Sequence, residues 1–255
     1  MRHSDPGKIV QELIEYQTEN PSQLLFQFQS LVSALQYSKL YELFLEFVPE
    51  GSRVLDWGAG NGHFSYFLLR CGYRTSAFSL EDHVLPRLLK KQYPEFEYVR
   101  GQEDQPVRLP FPDQSFEAVT SVGVLEHVRD SGGEELASLQ EIKRVLKSGG
   151  IFICYHFPNR YSGIEALARL LPAKPRHRYK YTKSGIIELC RKSRFEILKI
   201  KRYGFLPRNV WGKFPGTFKN SEIISGSWNV LDGVLSWLFN SFCQNWLFVA
   251  RRTES

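Results

Sequence analysis

The residues with most chemistry to offer lie in Val54-Leu55-Asp56-Trp57-Gly58-Ala59-Gly60-Asn61-Gly62, where an apolar run ends on a carboxylate and passes into alternating glycines. Glycine permits the tight turn that lays bare backbone against a ligand, and a helix opening just beyond offers unpaired N–H groups. In strand–turn–helix context this points to a nucleotide-type ligand. The third glycine comes one residue earlier than in the Gly-x-Gly-x-x-Gly loop that cradles a pyrophosphate. Asp56 would repel a pyrophosphate but suits a cationic ligand, directly or through water. Two histidines are placed to act as general bases, His127 within Leu125-Glu126-His127 and His156 within Tyr155-His156-Phe157. His63 reads as a packing or capping residue, and His177, among Arg176, Arg178 and Lys180, as an anion contact. No His/Cys/Asp cluster has metal-ligand spacing, so no metal is expected.

Alternating strands and helices must position these groups. Ile9, Val10, Leu13 and Ile14 repeat at helical spacing. Asn20-Pro21 then predicts the cap and first residue of a second helix, with Leu24, Leu25, Phe28, Leu31, Val32 and Leu35 on its apolar face. A third helix is predicted over Tyr37–Val48. Strands are expected at Arg53–Trp57, Arg74–Phe78, Phe96–Arg100, Ala118–Val122 and Ile151–Phe157, with helices at His63–Cys71, Glu81–Tyr93 and Glu134–Leu146. Helices at Ser162–Leu171 and Thr182–Ser193 and strands at Glu196–Tyr203 and Asn245–Arg251 follow. This order predicts a mostly parallel sheet covered by helices on both faces.

A sulfonium and an ammonium would both suit Asp56, which favours S-adenosylmethionine. Leu55-Asp56-x-Gly58-x-Gly60-x-Gly62 resembles motif I of the class I S-adenosylmethionine-dependent methyltransferases. Leu109-Pro110-Phe111-Pro112-Asp113-Gln114-Ser115-Phe116-Glu117-Ala118-Val119 is similar to the LPFPDxSFDxV stretch of the branch that includes ubiquinone-biosynthesis enzymes. Val124-Leu125-Glu126-His127-Val128 continues it, and Glu141–Gly150 resembles that branch's ExxRVLKPGG. The resemblance is strong over Val48–Phe157. It implies a Rossmann-like class I methyltransferase fold, α/β, with a seven-stranded mostly parallel sheet and an N-terminal helical cap. It also implies one domain: a cap over 1–48, a cofactor-binding core over 49–157, acceptor-side additions over 158–245, and a final strand and tail over 246–255.

Carried over residue by residue, the resemblance gives Asp56, Gly58, Ala59, Gly60, Asn61 and Gly62 to the methionine end of the cofactor. The family's acid at the end of the second strand, which grips the ribose diol, is replaced here by Ser79, followed by Leu80 and Glu81. Glu81 could reach back to the ribose or simply open the next helix. Adenine contacts fall to Gln102, Glu103 or Asp104, and Ser121 and Val122 end the fourth strand beside the cofactor. The expected reaction is O-methylation of a small-molecule, sugar or lipid-linked acceptor, under a lid drawn from the aromatic stretch Gly204–Phe242.

Charge keeps other readings open. The chain carries a net charge of +6, yet only two acids, Glu188 and Glu196, lie between Arg169 and Lys219. Such a basic stretch suits nucleic acid, phosphate or an anionic membrane surface. RNA methylation is therefore an alternative, and a methyltransferase-like binding protein without catalysis is another, prompted by Ser79. Peripheral contact with the inner membrane through an aromatic helix at Ser227–Phe242 is a third. Four dispersed cysteines, no apolar leader and no apolar run of about 18 residues suggest a cytoplasmic chain without disulfides or a spanning helix.

Overall fold

The computed structural model describes residues 5–23, 25–102, 104–168 and 177–254. Helix α1 (Pro6–Glu19) opens where Asp5 accepts the Gly7 N–H and closes at Asn20, whose backbone and side-chain N–H groups both donate to the Tyr16 carbonyl. Asn20 thus ends a helix instead of starting one. The predicted Asn20-Pro21 helix is replaced by two single 3-10 turns, Pro21–Gln23 and Phe26–Phe28, and Leu24 of its apolar face lies outside the described residues. Gln17 holds this stretch by accepting the Leu25 N–H. The helical signal resumes only at Ser30, which caps Ser33 N at 3.2 Å. One long helix, α2 (Leu31–Phe47), therefore takes the place of two.

The sheet is built from β1 (Arg53–Trp57), β2 (Arg74–Ser79), β3 (Glu97–Arg100), β4 (Phe116–Val122), β5 (Leu146–Pro158), β6 (Phe195–Tyr203) and β7 (Asn245–Arg252). Its order is β3-β2-β1-β4-β5-β7-β6. The first five strands run parallel, and β7 lies antiparallel between β5 and β6. Alternate residues feed two cores, as the strand period of two requires. Val54, Ala118 and Ile153 pack with α1, α2 and α3 (His63–Arg70), while Leu55, Val119 and Phe152 pack with α5 (Glu135–Val145) and α7 (Lys183–Lys192). Among the described residues no helix is long and apolar enough to cross a membrane.

Further boundaries differ from the sequence expectation, and β5 already starts at Leu146 instead of Ile151. Helix α4 spans Val84–Gln92, not Glu81–Tyr93, because the Ser79 hydroxyl accepts the Glu81 N–H and His83 is extended. Helix α6 is described over Gly163–Ala168, and the remainder of that predicted helix, through Leu171, lies outside the described residues. The short α8 (Gly216–Lys219) precedes α9 (Glu222–Leu238), which Ser221 caps by accepting the Ile224 N–H several residues ahead of the expected start. All four cysteines are free thiols.

Candidate functional site

The carboxyl ends of β1, β2 and β4 open onto a cavity of about 560 Å³. In open α/β sheets that end of the strands is where ligands bind. The glycine loop forms one wall, held by Gly58 and Ala59 N–H groups donating to the Phe78 carbonyl of β2 at 2.8 and 2.9 Å. Gly58 sits at φ +75°, and a Cβ there would lie 2.3 Å from a Val124 methyl carbon. Gly62, at φ +82°, would meet the Pro86 ring at 2.8 Å. Both positions require glycine twice over, for conformation and for space. Ser22, Phe26 and Gln27 close the opposite side, and Gln27 accepts from the Asn61 amide at 3.0 Å.

Asp56 lines this cavity yet is only 1% exposed. Its Oδ2 accepts the Ser65 hydroxyl at 2.6 Å, and it has no cationic partner among the described residues. Burial pushes its carboxyl up to about 6, with the Ser65 hydrogen bonds pulling the other way. A buried carboxylate without a counter-ion is a natural receptor for a ligand's positive charge.

The second strand ends at Ser79, which is buried. Leu80 is partly buried against the core, and Glu81, Asp82 and His83 line the cavity edge. The Glu81 carboxylate is 84% exposed and lies 3.6 Å from His83 Nε2, at the rim and not folded back into the cavity. Asp104 is exposed and outside the cavity lining, and Glu103 lies outside the described residues. Val122 and Gly123 line the cavity, while Ser121 is buried and accepts the Leu125 N–H at 3.3 Å.

The two candidate bases have unlike surroundings. His156 occupies a bulge, where Tyr155 and His156 on β5 stand opposite Leu247 alone on β7, and it adopts φ +67°. Tyr203 Oη accepts the His156 backbone N–H at 2.9 Å and is hydrogen-bonded to Nδ1 at 2.9 Å, while Nε2 is hydrogen-bonded to Tyr37 Oη at 3.0 Å. With both ring nitrogens engaged, desolvation holds this imidazole down at about 3, where it is neutral. His63 is likewise held at about 3 by burial, packed among Phe28, Tyr37 and Tyr41. This is the packing role that the sequence suggests for it.

His127, by contrast, is half exposed and pairs through Nδ1 with Asp130 Oδ2 at 3.0 Å. The neighbouring Glu126 is buried, its Oε2 has no hydrogen-bond partner, and burial raises its carboxyl to about 8. His177 does not sit apart as an anion contact. Its Nδ1 faces Glu165, and its ring centroid lies 5.9 Å from that of His127. One ligand atom each of Glu126, His127 and His177 falls within 4.8 Å of the others. No metal cluster was expected because fifty residues of sequence separate the last two histidines; folding brings together a group able to share a proton or to ligate a cation.

A family model described as a methyltransferase domain matches residues 55–154. A methyltransferase-like protein of Encephalitozoon cuniculi is 32% identical over 162 residues, which cover 58% of this chain and 71% of that protein. The chain belongs to the class I S-adenosylmethionine-dependent methyltransferases. The ubiquinone biosynthesis O-methyltransferase of Xanthomonas campestris pv. campestris is 34% identical, over 51% of this methyltransferase and 56% of that one, so the match spans little more than half of that relative. Among solved structures, the 1,6-didemethyltoxoflavin-N1-methyltransferase of Burkholderia thailandensis, bound to S-adenosylhomocysteine, aligns over 100% of this chain and 93% of its own. The TM-score is 0.57 at 17% identity, a likeness of fold alone.

The site of this methyltransferase fits its cofactor. Gly58 and Gly62 of the loop leave no room for a side chain, and the buried carboxylate of Asp56, without a counter-ion among the described residues, suits a ligand bearing a sulfonium and an ammonium. Sequence reasoning missed Ser22, Phe26 and Gln27, because a continuous helix was read where the chain makes short turns. One consequence is measurable. Asp56 attracts the ligand only when ionised, and its raised pKa means that it is half protonated near pH 6. Affinity for S-adenosylmethionine, followed by calorimetry, should be flat at neutral pH and fall by up to about tenfold per unit below about pH 6. A pH-independent affinity would mean that Asp56 does not face the ligand's charge.

Proposed function

We propose that this methyltransferase transfers a methyl group to a hydroxyl oxygen of a ring-bearing small molecule, of the free or lipid-linked phenol class, with His127 as general base. The observation that carries this reading is the His127–Asp130 pair. It is half exposed and begins four residues past Gly123 of the cavity wall. The name of the Xanthomonas relative, an O-methyltransferase of ubiquinone biosynthesis, supports oxygen as the acceptor atom. When bound, S-adenosylmethionine supplies a methyl group on a positively charged sulfur. Asp56 and the glycine loop hold the charged end of that ligand. With Nδ1 held by Asp130, Nε2 of His127 is the nitrogen left to take the proton of the acceptor's hydroxyl. His156 is a positioning residue, its neutral ring clamped between Tyr37 and Tyr203.

RNA methylation draws less support. Within the basic stretch, Lys180, Arg191, Lys192, Lys199 and Arg208 are engaged in ion pairs with the protein's own carboxylates. The test is transfer of labelled methyl groups to catechols, to prenylated phenols and to bulk RNA in parallel. Transfer to the phenols alone is expected. Transfer to RNA alone would overturn the acceptor class, and tight S-adenosylmethionine binding without transfer to any of them would favour a non-catalytic binding protein.

A further inference from the structure

Helix α9 is inside out. Ser225, Asn229, Asp232 and Ser236 recur at intervals of four, three and four, which places them on one face, and that polar face is turned toward the protein. Asp232 Oδ1 accepts the Phe205 and Leu206 N–H groups at 2.8 and 2.7 Å, and its Oδ2 meets Arg208 at 2.6 Å. Asn229 accepts from Arg208 at 2.7 Å, and Ser236 from Phe205 N at 3.2 Å. The opposite face carries Ile223, Val230, Val234 and Trp237, of which Ile223 is 82% and Trp237 79% exposed. Phe214 and Phe218 before the helix and Phe242 after it are exposed as well.

Exposed apolar side chains grouped on one helix face mark a contact surface. The charges say what. From Ile223 through Phe242 the sole ionisable side chain is Asp232, which is turned inward and paired with Arg208. Just ahead of α9 in the chain stand Lys213 and Lys219, neither of which makes an ion pair with a described residue. A second copy packed on this face would add the same cations and no exposed acid except Glu222. An anionic bilayer supplies both the apolar layer and the missing negative charge. An indole at the rim of such a ridge also suits the headgroup boundary.

We propose that α8 and α9 dock on an anionic lipid surface, apolar ridge inward, with Lys213 and Lys219 against the headgroups. The assignment is independent of the acceptor chemistry. It is tested by co-sedimentation of the full chain with vesicles of phosphatidylcholine alone and of phosphatidylcholine mixed with phosphatidylglycerol. The chain should pellet with the mixed vesicles and bind the neutral ones at least about tenfold more weakly. The variant Val230→Glu/Val234→Glu/Trp237→Glu, all at exposed positions, should lose at least about tenfold in vesicle affinity while its circular dichroism and melting temperature stay unchanged. If that variant misfolds, Trp237→Ala provides the same comparison with a smaller loss. Absence of pelleting, or equal pelleting of parent and variant, overturns the proposal. So does a parent dimer that the variant converts to monomer without any vesicle binding, which would give the ridge to a second copy.

Discussion

A His127→Ala variant should bind S-adenosylmethionine with the affinity of the parent and turn over about 10² to 10⁴ times more slowly, the range that removal of a general base produces. The two halves of this result have separate causes. His127 is not part of the cavity lining formed by the glycine loop, so cofactor affinity, read by calorimetry, has no reason to change. In the proposed reaction, however, the proton of the acceptor hydroxyl would lose its receiver. Asp130→Asn should show a smaller loss, since it leaves the imidazole in place and removes only the partner that fixes Nδ1 at 3.0 Å. The matching substitution at His156 should behave differently, because both its ring nitrogens are bound to tyrosine hydroxyls and its effect should appear first in melting temperature. A His127→Ala enzyme that keeps half of its kcat would remove His127 from the reaction.

The largest stability effect is expected from Arg208→Met. Arg208 and Asp232 leave only 7% and 6% of their side chains exposed, and the guanidinium also bonds the Val32 carbonyl and Asn229. Breaking such a pair from one side strands a buried carboxylate, which costs about 3–5 kcal/mol, well above the surface ion pairs elsewhere in the chain. For a domain of this length the melting temperature should fall on the order of 10 °C. Substituting Asp232 as well would not restore the parent, because the Phe205 and Leu206 N–H groups would then lose their acceptor. A loss below about 1 kcal/mol in chemical denaturation would mean that water reaches the pair.

How much of this was legible in the chain depended on distance along it. The glycine loop and Asp56 were readable because strand, turn and helix follow one another directly, and alternation of apolar segments sufficed for the parallel sheet. The helical cap was misjudged at a point where two signals compete. Asn20-Pro21 has the form of a helix start, but the same asparagine satisfies the end of α1, and Ser30 supplies a second cap farther on. The meeting of His127 with His177 could not be read, since it depends on where β4 and the segment before α7 come to rest. Nor could the bulge that engages both nitrogens of His156, which is a matter of register against β7. The amphipathic character of α9 was visible in its spacing. Its inward polar face was not, because only the buried Arg208 reveals which side the protein claims.

The position of β7 bears on how the chain is made. Among the described residues β6 has no strand neighbour except β7, which is also the partner that joins it to β5. During synthesis Phe195–Tyr203 therefore emerges with nothing to pair with, and it waits until Asn245–Arg252 follows. Until then β5 presents an open edge, the kind of surface that invites wrong pairing. The five parallel strands can assemble first, and β6 joins the sheet only once β7 has been made.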